Sequence, residues 1–219
     1  MSEASIPRKR GPGRPRRLPV EEQRGLVLAA ARQVFAARGV QGATIEGIAR
    51  QAGLTRQAVY ELFGDKHELF THTVADTEEL AYRTIAERGS GDPELDLKSW
   101  ARKNYATMFA FVAEHPDALP VLQEAERTGD PAATRLRSRL AEVYTAASGE
   151  RWAAFGIEPG RADTALVAMY FAMTEVLVTL SWPGEPPDPD ALIDLLTEFT
   201  IGGVLRLYSH APDVLDRLR

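Results

Sequence analysis

Thr44–Lys66, TIEGIARQAGLTRQAVYELFGDK, consists of two short apolar-periodic segments broken by one glycine. In the first, Ile45, Ile48, Ala49 and Ala52 recur at helical spacing, and Thr44 stands ready as an N-cap. Gly53 supplies the left-handed residue that ends a helix sharply. Thr55 caps the second segment, whose Val59, Leu62 and Phe63 form one apolar stripe and leave Arg56, Gln57, Tyr60 and Glu61 pointing outward. A helix-turn-helix needs a small residue at the helix crossing, a glycine four positions later and an aliphatic anchor six further on. Ala49, Gly53 and Val59 stand in that register. The plain alternative is a helical hairpin inside a larger bundle, and the flanking sequence argues against it.

The preceding segment, Pro19 to Arg38, reads as a helix with Glu21 and Glu22 in its first turn and Leu26, Val27, Ala30, Val34 and Phe35 inward. Gly39 stops it. Together these pieces predict a three-helix, homeodomain-like head over residues 18 to 65. Before it, residues 1 to 17 form a basic arm in which arginines alternate with Gly and Pro, so no helix forms. Its Arg14, Arg16 and Arg17 are slim enough to enter a narrow minor groove. The plain reading of the same arm is a solvated basic tail.

Charge divides the chain in the same place. The net charge is −5, yet residues 1 to 66 hold 12 Lys+Arg against 6 Asp+Glu, whereas residues 67 to 219 hold 14 against 25. A basic head on an acidic body suits a protein with one end on phosphate. With 44% hydrophobic residues the chain buries a substantial core, and its lack of cysteine excludes disulfides and thiolate metal sites. No apolar run follows the basic N-terminus, so a secretory signal is not expected and the expected location is the cytoplasm.

Arg14 to Phe70, with GRPR, FAARG, the Thr44–Lys66 segment and HELF, resembles the DNA-binding domain of the TetR family of transcriptional regulators. The likeness covers about a quarter of the chain. It places Tyr60, Phe63 and Lys66 on the family's Y..F..K pattern and implies that Tyr60 and Lys66 hold phosphates. It also implies a homodimer joined by the last two helices, control by a small effector that shifts helix 4, and repression more often than activation.

Residues 66 to 219 read as an effector-binding and dimerisation body of further helices: 66–87, 93–114, 117–128, 131–155, 161–182 and 190–208. Loops are expected at Gly89–Pro93, Gly156–Gly160 and after Pro183. With no period-2 alternation and no repeat, the fold class is all-α, about nine helices. The last two long helices are more apolar than a monomer needs, which points to an interface; Glu175, Thr174 and Thr179 argue against a membrane span.

On DNA, Arg56 suits guanine, Gln57 adenine and Glu61 the cytosine amine, while Ala58 offers only a methyl contact and Tyr60 is the weaker base reader. Thr44 and Thr55, at helix N-termini, suit phosphate. A dimer would set two such helices about 34–36 Å apart on a near-palindrome. Tyr105, Met108, Phe109, Tyr144, Met169, Tyr170 and Met173 are candidates to line a pocket for a hydrophobic effector, although residues of this kind are more often plain core. Glu175 would pair with an arginine across an interface or meet a polar ligand group. No nucleophile elbow or phosphate loop occurs, the four histidines lack zinc spacing, and His72 with Asp76 is a faint metal hint. No cofactor, catalytic site or metal site is expected. The competing classes are a sequence-tolerant DNA-coating protein and a helical ligand-binding or scaffold protein that contacts no DNA.

Overall fold

A computed structural model of the chain describes residues 18–89, 94–153, 161–180, 184–185 and 187–217. The arm with Arg14, Arg16 and Arg17, the linker Ser90–Pro93, the 156–160 loop and Trp182–Pro183 lie outside the described residues. The described residues form helices and no strand: α1 (Val20–Gly42), α2 (Ile45–Ala52), α3 (Arg56–Phe63), α4 (Lys66–Gly89), α5 (Leu97–Glu114), α6 (Ala118–Arg127), α7 (Ala132–Ala153), α8 (Arg161–Thr179), α9 (Pro189–His210) and α10 (Pro212–Asp216). The fold is all-α, as the sequence predicts. The short α10 was not expected, because five residues are too few to show a period; Pro212 in its first turn is the only local cue.

Gly39 interrupts α1 as expected, with φ 64° and ψ 174°, but one more turn, Val40 to Gly42, follows the break. The Val40 N–H, left without a helical partner, donates to Glu124 Oε1 of α6 at 2.8 Å. A Cβ on Gly39 would sit 2.8 Å from that same oxygen, so the position needs glycine for space as well as for backbone. Leu26, expected inward, is 41% exposed. Gln23 takes the inner place instead, its amide donating to Leu18 O at 2.6 Å. Expected helix 5 starts later than Pro93, at Leu97, because the Asp96 side chain accepts from Ser99 N at 2.9 Å and fixes the N-cap there.

In the head, α2 packs on α3 through Ile48, Ala49 and Val59, all 2% exposed or less. Helix α1 braces both, and Phe35 meets Phe70 of α4 edge-on at 5.0 Å. From there α4 runs into the body, packing on α1, α5, α6 and α7. Buried Thr73 and Thr77 return their hydroxyls to the carbonyls of Leu69 and Thr73, which lets polar residues sit in this core. Helices α5, α7, α8 and α9 complete the body.

The start of α4 is a capping box. Asp65 Oδ1 accepts from the backbone N–H of His67 (2.7 Å) and Glu68 (2.9 Å), and Glu68 Oε2 accepts from Asp65 N at 3.2 Å. The N–H donors of Glu68 and then His67 hold the Asp65 carboxyl below its ordinary value of 3.8. A lowered value gives stability present at neutral pH and lost as pH falls through it. We expect Asp65→Ala to lower the melting temperature by about 2–4 °C at neutral pH. In thermal melts at successively lower pH, the gap between variant and parent should narrow once pH falls below the ordinary carboxyl value and close only below the lowered value, where the parent's cap is protonated as well.

Candidate nucleic-acid interface and interior cavities

Two capped helix N-termini open at the surface of the head. Thr44 Oγ1 accepts from Gly47 N and Thr55 Oγ1 from Ala58 N, both at 3.1 Å, so each hydroxyl takes one orphan donor and both threonines are exposed. Gly53, at φ 68°, turns the chain between α2 and α3, with Leu54 N donating to Ala49 O at 2.9 Å. Val59 and Phe63 anchor α3 inward; Arg56, Gln57, Tyr60 and Glu61 are exposed, and Ala58 is half-buried. Gln57 Nε2 donates to Glu61 Oε1 at 2.9 Å, and Arg56 lies 3.8 Å from Glu46. Both are solvent-exposed pairings that cost little to exchange for another partner.

Lys66 turns toward the head. Its ammonium donates to Ala43 O at 3.2 Å and reaches Gln41 O at 3.5 Å, tying the α3–α4 turn to the end of α1. A further contact that sequence reasoning missed is Arg24. Its guanidinium donates to Leu62 O at 2.8 Å and lies 4.4 Å over the Phe63 ring, clamping the C-terminal end of α3 from α1. Only an arginine flanked by inward positions of α1 hinted at it. His72 packs edge-on to Phe63 and Asp76 pairs with Arg32 at 3.3 Å, so the two are engaged apart from any metal. Among the described residues no group of three His, Cys, Asp or Glu could hold a metal ion.

The expected pocket residues do not share one site. Met108 and Glu175 border a cavity of about 80 Å³ between α4 and α8, walled by Ile85, Phe111, Leu122, Leu136 and Phe171. Glu175 Oε2 there accepts from Arg137 at 2.8 Å within the chain, and Arg137 also reaches Glu126 at 3.2 Å. Tyr144 and Tyr170 instead border a second cavity, about 60 Å³, between α5 and α7–α9. Tyr105 is fully buried, stacked 4.4 Å from Tyr170 and hydrogen-bonded to Thr200 at 2.5 Å. Burial pushes the Tyr105 hydroxyl up to about 12, against the lowering effect of Thr200, and raises Tyr144 and Tyr170 as well. All three stay protonated at neutral pH.

Phe109 is half-buried and lines neither cavity. Met169 and Met173 do not line them either, a correction to the sequence reading. Tyr170, Phe171 and Thr174 take the inner side of α8, so the helical step turns Met169 outward, 55% exposed, and sets Met173 in an outer groove with Val176 and Phe199. Sequence periodicity could not tell which of two apolar faces of α8 was the inner one.

This geometry, a trihelical head with an outward third helix mounted on a helical body, defines a helix-turn-helix protein. Residues 27–73 match the family model of bacterial regulatory proteins, tetR family. The HTH-type transcriptional repressor AcnR of Corynebacterium efficiens is 31% identical over 113 residues, 46% of this chain and 60% of that protein. A TetR-like transcriptional regulator from Rhodococcus sp. RHA1 has a similar structure, with TM-score 0.68 and 24% identity over 86% of this chain and 99% of that one. AibR, solved in complex with isovaleryl coenzyme A and operator DNA, matches at TM-score 0.64 and 13% identity, covering 81% and 97%. The chain thus spans about 60% of the length of the curated repressor it matches. Residues 27–73 are thus similar in sequence to the tetR-family model, and the fold of the described residues is similar to that of solved TetR-like regulators. Among the described residues no helix is long and apolar enough to cross a membrane.

Proposed function

We propose that the chain is a sequence-specific regulator of transcription that binds double-stranded operator DNA as a homodimer and is released from it, as a repressor, by a small apolar effector. The exposed face of α3 supports this reading most directly. Arg56, Gln57 and Glu61 stand on it as base-edge readers, Tyr60, Lys66, Thr44 and Thr55 beside it as phosphate contacts, and Ala58 as a methyl contact. Arg14, Arg16 and Arg17 would add minor-groove contacts from the arm. The protein so read works in the cytoplasm, with residues 18–65 as its DNA-binding domain and 66–219 as its effector and dimer domain. It catalyses no reaction and needs no cofactor.

The body supports pairing. Met169 (55%), Val176 (59%), Leu195 (59%) and Phe199 (63%) are exposed together on α8 and α9, an apolar face that a second copy would bury. Effector control follows from α6. Its Leu119 and Leu122 wall the larger cavity, while its Glu124 holds Val40 at the broken end of α1. Asp117, beside the start of α6, accepts from Arg32 of α1 at 3.1 Å. A ligand that pushes α6 outward therefore pulls on the head as well as on α4.

Sites selected from a random DNA pool provide the operator. On it, Arg56→Ala and Gln57→Ala should each weaken binding by about 1–3 kcal/mol and relax preference at one base position. Equal affinity for selected and random DNA across a salt series would instead indicate a coating protein. Phe199→Glu should shift the protein to monomer in light scattering and weaken operator binding by an order of magnitude or so, through loss of the second head. Glu124→Leu leaves Val40 N–H without its acceptor and should cost about 1–3 kcal/mol of stability in denaturant unfolding. It should also reduce the effector's ability to change operator affinity, and unaltered release by ligand would exclude this link.

A further inference from the structure

In the layer where α5 meets α7 and α8, four neighbouring side chains have polar atoms with no hydrogen-bond partner in the protein. They are Trp100 Nε1, both amide atoms of Asn104, and the hydroxyls of Tyr144 and Tyr170, which interact weakly with one another and have no other hydrogen-bond partner in the protein. Each of these residues is 8% exposed or less. Ring centroids lie 5.9 Å apart for Trp100 and Tyr144 and 5.7 Å for Tyr144 and Tyr170, and Asn104 stands one turn beyond Trp100 on α5. Folded interiors leave few buried polar groups unmet, because each forfeits its hydration for nothing in return. A cluster of them in one layer calls for a partner from outside the chain.

Room for a partner lies alongside. Trp100, Tyr144 and Tyr170 border the cavity of about 60 Å³ that extends toward α9. One water needs only about 10–15 Å³, so a larger molecule is admitted. On the other side Phe171 meets Tyr144 and Tyr170 edge-on, at 5.3 and 5.1 Å, and also walls the larger cavity beneath α6. An aromatic partition of three rings thus separates two chambers.

We propose that Trp100, Asn104, Tyr144 and Tyr170 form the polar end of a ligand site that takes an uncharged, mainly apolar molecule bearing a carbonyl oxygen. The indole N–H, the Asn104 amide and the phenol pair, of whose two protons one can be shared between Tyr144 and Tyr170, offer donors against one group that can only accept, Asn104 Oδ1. Donors in excess select an acceptor oxygen. Charge is disfavoured on both sides: the nearest guanidinium, Arg151, packs over the Trp100 ring at 4.9 Å and donates to Ala147 O at 2.6 Å. A carboxylate would be desolvated against neutral donors, and an ammonium would face donors like itself. As an effector site it rests on the regulator reading above; as a binding site it does not.

The test is calorimetric titration of the full-length protein with methyl pentyl ketone, hexanoate and hexylammonium, repeated with Tyr170→Phe and Asn104→Leu. The ketone should bind at least about tenfold tighter than either ion, and each substitution should weaken ketone binding about tenfold or more, as loss of a built hydrogen bond does. Asn104→Leu should melt higher than the parent without ligand, since unmet polar atoms have been removed. If ordered water satisfies these groups as part of the core, Asn104→Leu will melt lower with ketone affinity unchanged in both variants, and the proposal fails. It fails equally if an ion binds best or if none of the three binds. Operator binding measured in parallel separates the two readings. Ketone bound without DNA release keeps the site and removes its effector role, whereas a protein that ignores every duplex loses the regulator reading with the site intact.

Discussion

The break in α1 at Gly39 creates a backbone N–H at Val40 that no helix can satisfy, and a carboxylate from α6 arrives to meet it. A buried donor left unmet costs about 1–3 kcal/mol, so this contact binds the trihelical head to the body more firmly than the exposed ion pairs nearby. Glu124 is 7% exposed and comes from a helix 84 positions away in sequence. The arrangement fixes where the third helix points, because Lys66 then joins the α3–α4 turn to the carbonyls of Gln41 and Ala43 just past the break. Position and orientation of the candidate DNA surface therefore depend on one glycine and on the acceptor it admits.

Polar satisfaction is unevenly distributed, and the unevenness has functional meaning. In the head, each of the helices α2, α3 and α4 begins with a side-chain cap, and Arg24 clamps the end of α3. A surface that must present side chains at fixed spacing gains from such rigidity. In the body, Trp100 and Asn104 keep polar atoms buried and unmet, and the buried hydroxyls of Tyr144 and Tyr170 have only one another. Unmet groups there are a standing cost that a binding partner would relieve. Arg137 and Glu175, by contrast, satisfy one another at the wall of the neighbouring cavity.

The two apolar faces of α8 show how one helix serves two purposes. Tyr170, Phe171 and Thr174 build the interior, while Met169 and Val176 present an outer apolar strip continuous with Leu195 and Phe199 of α9. Such a helix carries apolar residues on two sides, one buried within the described chain and one exposed on it.

Much of the head was legible in the sequence. Thr44, Gly53 and Thr55 fix helix ends through interactions within a few residues, and Ala49 and Val59 pack across a tight turn, so local spacing specifies their geometry. The all-helical class followed from periodicity for the same reason. What the sequence left open involved partners far apart along the chain. The inward turn of Gln23 in place of Leu26, the acceptor for Val40, the partner of Glu175 and the outward face of Met169 are decided by which helices meet. A one-turn period says that a residue lies on a face; only the packed arrangement of helices says what that face meets, because burial and pairing are properties of the assembled core.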